Sequence, residues 1–227
     1  MNEMNLQKMN NELPIWDLSE IYKNIKDPKI NIDINNIRES ANNFLNKWKG
    51  KINNLSSSDF LFCINEYQEI NEAIYKIATH SSLTFATNME DPEISKYNSS
   101  ISDQITEILS TLIFVTLELS KVDDTTINNW LNDKEAKIWK PYLDILRKRN
   151  PYILDPLVEE ILIEKSATGR SAWIRLFDET SAALRFPFKN KSLTQAEILN
   201  LLSDADPKTR KIAGKSLSEV LENNKRI

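Results

Sequence analysis

Two long amphipathic helices are indicated by residues 60–119, FLFCINEYQEINEAIYKIATHSSLTFATNMEDPEISKYNSSISDQITEILSTLIFVTLEL. Apolar side chains recur at offsets of three and four as far as Phe85, and from Ile94 they keep near-heptad spacing. Between the two runs, Asp91-Pro92 is a helix-start signal, because Asp caps free backbone N–H groups and Pro lacks the N–H that a first turn leaves unpaired. The pattern predicts a long antiparallel helical hairpin.

The chain before this hairpin contains a shorter helix and a polar N-terminus. Apolar side chains at helical spacing over residues 34–52 predict one amphipathic helix, with Gly50 near its end. We expect residues 1–12 to be disordered and order to begin near Trp16. These expectations divide the chain into a disordered segment (1–12), an N-terminal helical region with the hairpin (13–122) and a second helical region (123–227).

The second region is predicted to be helical, with one small β-ribbon near residues 185–193. Pro187 and the turn-favouring Lys189-Asn190-Lys191 support the ribbon, and Asn190 is expected to adopt the left-handed conformation. The predicted fold class is therefore all-α, a multi-helical domain with a long hairpin and one ribbon. Further helices are predicted over 125–132, 135–149 and 156–166, and beginning at Ser171, at a Thr194–Glu197 capping box and at Asp206-Pro207.

Composition excludes several classes of protein. Three Gly residues among 227 leave little material for phosphate-binding loops, and a net charge of −4 argues against nucleic-acid partners. One Cys cannot form an internal disulfide and the N-terminus lacks a signal-peptide pattern, so we expect a cytoplasmic protein. The most apolar window, 108–119, is shorter than the roughly 20 residues that cross a bilayer, so no membrane partner is predicted.

Few residues could carry catalysis. A hydrolytic zinc site commonly needs two His and a carboxylate, but His80 is the single His of the sequence. Cys63 and His80, on one predicted helix, would stand about 25 Å apart at the rise of an α-helix. We therefore predict no catalytic, metal or cofactor-binding residue in this chain, with Cys63 in the core and His80 packed between helices with one hydrogen-bond partner.

Three surface features have both a structural and a functional interpretation. Glu159, Glu160 and Glu164 form either a solvated helix face or a weak cation site. Basic residues near Trp139 and Tyr142 form either a plain surface or a contact for phosphate or an acidic peptide; they are Lys137, Lys140, Arg147, Lys148 and Arg149. We favour the structural interpretation in both cases.

The third feature is an apolar stripe through Trp173 and Phe177. We expect this stripe to be core rather than a ligand platform, with Arg175, Asp178 and Glu179 toward water or a partner. A buried Trp173 would hold its helix to the domain, so Trp173→Ala should cost about 3–5 kcal/mol of stability.

Several segments together resemble oligoendopeptidase F of the M3 zinc metallopeptidases. They are LPIWDLSEIY at 13–22, IYKIATHSSLTFATNMEDPEI at 74–94, SATGRSAWIRLFDETSAALRF at 166–186 and LTQAEILNLLSDADPKTRKIAGKSLSEVLENN at 193–224. The residues that match at single positions, expected to be structural rather than catalytic, are Trp16, Asp17, Asp91, Pro92, Gly169, Arg170, Ser171, Trp173 and Phe177.

The resemblance implies an almost entirely helical enzyme whose N-terminal region covers a deep groove and whose C-terminal region carries a zinc-binding HExxH motif. This chain resembles the N-terminal part, so the resemblance implies a role in covering short peptide substrates, a C-terminal catalytic half as partner, zinc only in the intact enzyme and little activity of the chain alone. The alternative is a free-standing helical interaction module or the inert remnant of a split gene.

Overall fold

The computed structural model describes residues 17–225, and it confirms the all-α class with one small ribbon. Residues 1–12, expected to be disordered, and Trp16 lie outside the described residues. In residues 17–225, no helix is long and apolar enough to span a membrane. The helices are α1 (Pro28–Trp48), α2 (Ser57–Thr87), α3 (Pro92–Leu119), α4 (Asp124–Leu131), α5 (Lys140–Arg149), α6 (Pro156–Thr168), α7 (Arg170–Ala183), α8 (Gln195–Asn200) and α9 (Pro207–Asn224), and the strands are β1 (Phe186–Phe188) and β2 (Lys191–Leu193).

The predicted hairpin is present as α2 and α3. The Asp91 carboxylate accepts hydrogen bonds from the backbone N–H groups of Glu93 (2.8 Å) and Ile94 (3.3 Å), which confirms the helix start at Pro92. Across the hairpin, the Ser81 hydroxyl donates to Asn98 Oδ1 at 2.9 Å. The two helices thus pack antiparallel from the tip onward.

Helix α1 begins six residues earlier than the apolar pattern predicts, at Pro28 instead of residue 34. Asp27 accepts a hydrogen bond from Lys29 N at 2.9 Å, so Asp27-Pro28 is the same type of start signal as Asp91-Pro92. The helix ends at Trp48 and the chain turns through Gly50, whose φ of 78° suits a residue without a Cβ.

The main core lies between α1, α2 and α3 and extends to α4 and α5. Phe44 is fully buried against Phe114 of α3, and Trp130 of α4 stacks on Phe60 of α2. The Glu118 carboxylate in α3 accepts hydrogen bonds from Gly50 N (2.8 Å) and Ile52 N (3.3 Å), so it ties the turn after α1 to the hairpin.

A second, smaller core lies under the β-ribbon. Its buried side chains are Phe186 and Phe188 of β1, Ile198 of α8 and Ala213 of α9. The strands pair antiparallel with Phe188 opposite Lys191. The left-handed residue is Lys189 (φ 53°), not Asn190 as predicted, because this register leaves 189 and 190 as a two-residue turn whose first position takes the positive φ of a type II′ turn.

Candidate functional site

Helices α6 and α7 run antiparallel to α3 along the outside of the hairpin. Near the start of α6, Glu159 shares a surface hollow with Thr116 of α3. Near the end of α7, Ser95 Oγ of α3 donates to the Glu179 carboxylate, and the Arg175 guanidinium donates to Ser99 Oγ at 2.7 Å. Two hydrogen bonds between polar side chains thus join α7 to α3.

The outer sides of these two helices carry a row of exposed apolar side chains. Each exposes between 41% and 71% of its area, and within the described chain neither helix has a fully buried residue. We call this row the α6–α7 surface. It consists of Leu154, Leu157, Val158, Ile161, Leu162, Trp173, Ile174, Leu176 and Phe177.

The prediction that Trp173 and Phe177 belong to the core is wrong. Their side chains are 71% and 70% exposed. The physical reason is that α3 offers α7 the hydroxyls of Ser95 and Ser99, which bind the polar face of α7 instead of its apolar stripe. The polar face that was expected to meet water thus faces the protein, and the apolar face is open.

The apolar residues of α6 were not singled out from the sequence. Leu157, Val158, Ile161 and Leu162 lie three or four positions apart on the side that the structure leaves open, whereas Ile163 lies on another side. Apolar side chains on more than one side of a helix normally pack against more than one neighbour. This pattern therefore indicates a helix with two partners, of which the described chain supplies one.

Between α7 and the end of α9 lies a groove of about 410 Å³. Trp173, Leu176 and Phe177 form one wall, and Leu221, Asn224 and Lys225 form the other. The α6–α7 surface therefore continues into a concave apolar site at its C-terminal end.

Gly169 sets the junction between α6 and α7. Its N–H donates to Lys165 O at 2.7 Å, and Trp173 N–H donates to Gly169 O at 3.2 Å, so the chain continues with little interruption from one helix to the next. A Cβ placed on Gly169 would lie 2.8 Å from Lys165 O, closer than real Cβ contacts. This backbone approach explains why Gly stands at this position.

The other family-matching positions have structural or solvent-exposed locations. Asp17 accepts a hydrogen bond from Ser19 N at 2.8 Å, and Asp91 and Pro92 start α3. Arg170 is exposed and Ser171 is half-buried, both in the first turn of α7. The matching positions from Gly169 to Phe177 thus lie at the α6–α7 junction and in the first two turns of α7. Asp17 and Asp91 lie in other parts of the chain.

The acidic candidates do not converge. The Glu159 carboxylate accepts a hydrogen bond from Leu154 N at 2.8 Å, while Glu160 and Glu164 are exposed. Among residues 17–225, no group of three or more His, Cys, Asp or Glu side chains is placed to hold a metal ion. The described residues thus do not fit a catalytic zinc.

Two of the basic residues near Trp139 and Tyr142 have acidic partners. Lys140 Nζ lies 2.6 Å from Asp144 Oδ2, and Arg147 pairs with Asp124. Lys137, Lys148 and Arg149 are exposed. Because such exposed pairs each contribute only about 0–1 kcal/mol, this region has the properties of an ordinary surface.

Cys63 and His80 occupy the core, as predicted. Burial raises the pKa of the Cys63 thiol to about 12, which leaves it unreactive at neutral pH. His80 is 2% exposed, its Nδ1 lies 2.9 Å from Tyr97 Oη, and its ring meets Tyr22 edge-on. Burial lowers the pKa of His80 below its usual 6.5, against weaker opposite effects of the Tyr22 backbone and Asp27.

The lowered pKa of His80 predicts a pH-dependent stability. Above pH 6.5 the imidazole is neutral in both the folded and the unfolded chain. Below pH 6.5 the unfolded chain binds a proton more readily than the folded chain, because burial lowers the pKa of His80 in the folded chain. The free energy of unfolding therefore falls as the pH decreases below 6.5. Urea midpoints measured between about pH 7.5 and pH 5.5 should show this loss for the parent and a smaller loss for His80→Gln, which does not titrate there. Parallel pH profiles for the two proteins would contradict the assignment to His80.

Comparison with known proteins gives three findings. A family model, Peptidase_M3_N, described as Oligopeptidase F, matches residues 118–186. The oligoendopeptidase F homolog of Borreliella burgdorferi is 26% identical over 215 residues, which are 94% of this chain and 36% of the homolog. The crystal structure of oligoendopeptidase-F from Enterococcus faecium superposes with a TM-score of 0.74 at 17% identity, covering 86% of this chain and 40% of that one.

These findings confirm the resemblance to the N-terminal part of oligoendopeptidase F that the sequence segments indicated. The structural superposition shows that the two proteins share a fold. The chain spans about 36% of the length of the curated relative and 40% of the solved structure.

Proposed function

We propose that this chain is the N-terminal, substrate-covering part of an oligoendopeptidase F-like zinc metalloendopeptidase that acts on short peptides. In this proposal a separate catalytic half carries the HExxH motif and the zinc, and this chain restricts access to the groove and orders the peptide. A motif with two His cannot lie within these 227 residues, since His80 is alone. The chain by itself is then inactive.

The observation that carries the proposal is the α6–α7 surface. The family match covers residues 118–186, and that segment includes both helices with their open apolar sides. Relatives in which this chain matches about a third of the length contain further polypeptide that can cover such a surface. An apolar helix face of this size is a typical interface between two parts of one enzyme.

Mixing this chain with the remaining C-terminal part of the Borreliella burgdorferi homolog tests the proposal. We expect a stable complex that buries more than about 2,000 Å² and that cleaves a quenched-fluorescent peptide, whereas neither part cleaves it alone. Sedimentation velocity measures the complex, and the increase in fluorescence measures cleavage.

Paired variants locate the contact. Trp173→Ser with Phe177→Ser should weaken the complex and its activity at least tenfold, because the substitutions remove two large apolar rings from the interface. The matched control is Phe62→Ser with Tyr75→Ser on α2, whose rings are similarly exposed at 68% and 67%. If the catalytic part keeps its size and activity when this chain is added, the proposal fails and an interaction module or inert remnant is the better account.

A further inference from the structure

We propose that the α6–α7 surface is self-complementary, so that two copies of this chain pair through it in antiparallel orientation. This inference concerns the chain without any other polypeptide, and it does not depend on the proposed peptidase role. The distribution of charge along the two helices and the amount of open apolar surface both favour this pairing.

Charges are segregated along α6 and the start of α7. From 155 to 164 every charged residue is acidic, and the exposed ones include Glu160 and Glu164. From 165 to 175 every charged residue is basic: Lys165 and Arg170 are exposed, and Arg175 is half-buried. Asp178 and Glu179, which follow Arg175, are half-buried, and Glu179 accepts a hydrogen bond from Ser95 of α3. The exposed charges of the α6–α7 surface are therefore negative along α6 and positive from Lys165 to the start of α7.

This polarity selects the orientation of a second copy. In a parallel pair, like charges would lie side by side and repel each other. In an antiparallel pair related by a two-fold axis, the acidic end of each copy faces the basic end of the other. Lys165 lies on the same side of α6 as Ile161 and Leu162, since these residues are three and four positions apart. Charged and apolar contacts can thus form in one interface.

The exposed apolar area is also large enough for a specific dimer interface. A specific interface buries about 800 Å² on each partner, and the row of large apolar side chains from Leu154 to Phe177, each open by 41% or more, provides surface of that order. Arg175 and Glu179 are held by Ser99 and Ser95 of α3. Those contacts keep the apolar side of α7 outward, so a second copy meets a surface that is already in place.

Charge-swap variants test the pairing by sedimentation equilibrium at low ionic strength. The parent should form a dimer in the micromolar range. Glu160→Lys with Glu164→Lys makes both ends positive, and Lys165→Glu with Arg170→Glu makes both ends negative, so each variant alone should dimerise at least tenfold more weakly. An equimolar mixture of the two variants should recover association, because the substituted positions of one variant then face oppositely charged positions of the other.

The control is Glu69→Lys with Glu72→Lys, which makes the same change in net charge on exposed residues of α2. It should dimerise like the parent. A parent chain that stays monomeric throughout the micromolar range would overturn the inference. Two charge-swapped variants that do not recover association when mixed, with far-UV circular dichroism showing that both are folded, would also overturn it.

Discussion

Replacement of Trp130 by Ala is expected to reduce the free energy of unfolding by about 3–5 kcal/mol. The side chain is 1% exposed, and its ring stacks on Phe60 with centroids 4.3 Å apart. Its indole N–H also donates to Leu55 O at 2.9 Å, so the substitution removes packing and leaves a half-buried carbonyl without this donor. Urea denaturation followed by far-UV circular dichroism measures the loss.

Trp173→Ala is the matched control for Trp130→Ala. Both substitutions remove an indole, but Trp173 lies on the α6–α7 surface and makes little contact with the core. Its unfolding free energy should therefore stay within about 0.5 kcal/mol of the parent. Equal losses for the two variants would contradict the exposed position of Trp173 and restore the core assignment that its spacing had suggested.

Gly169→Ala is expected to destabilise the chain by about 1–3 kcal/mol, because the added Cβ must push against the backbone at Lys165. A loss of stability is unusual for a Gly→Ala substitution next to a helix. In a helix interior the same change normally stabilises by up to about 1 kcal/mol, since Gly loses more conformational freedom on folding than Ala. Chemical denaturation of the variant measures the sign and the size of the change.

Gly214→Ala provides the comparison within the same protein. Gly214 lies inside α9, and a Cβ there would meet Leu202 Cδ2 at an ordinary 3.8 Å. This variant should be as stable as the parent or slightly more stable. A Gly169→Ala protein that behaves like the Gly214→Ala protein would show that the close approach to Lys165 relaxes at little cost.

The parts of the fold that could be predicted from the sequence depend on short-range chemistry. The caps at Asp91, Thr194 and Asp206 each bond a backbone N–H within three residues, so they act the same way in any tertiary context. The apolar pattern alone places the start of α1 six residues too late, because Ile34 is its first residue, whereas the equivalent cap signal Asp27-Pro28 marks the start correctly.

The candidate site could not be predicted in the same way. An apolar stripe shows which side of α7 avoids water, but not whether the cover comes from the same chain. The amphipathic pattern of α7 predicts a buried Trp173, whereas the residues that decide its position are Ser95 and Ser99 on α3. Their preference for the polar face of α7 depends on a contact across some 80 positions of sequence, which local spacing does not encode.

Because α7 is held to α3 by hydrogen bonds, its apolar side chains contribute little to folding and remain available for binding a partner. Hydrogen bonds such as that of Arg175 to Ser99 contribute only about 0.5–1.5 kcal/mol each to folding. The apolar area of Trp173 and Phe177, worth roughly 25 cal/mol for each Å² removed from water, contributes little until another surface covers it. Mutations on this helix should therefore change affinity for a partner much more than they change the stability of the isolated chain.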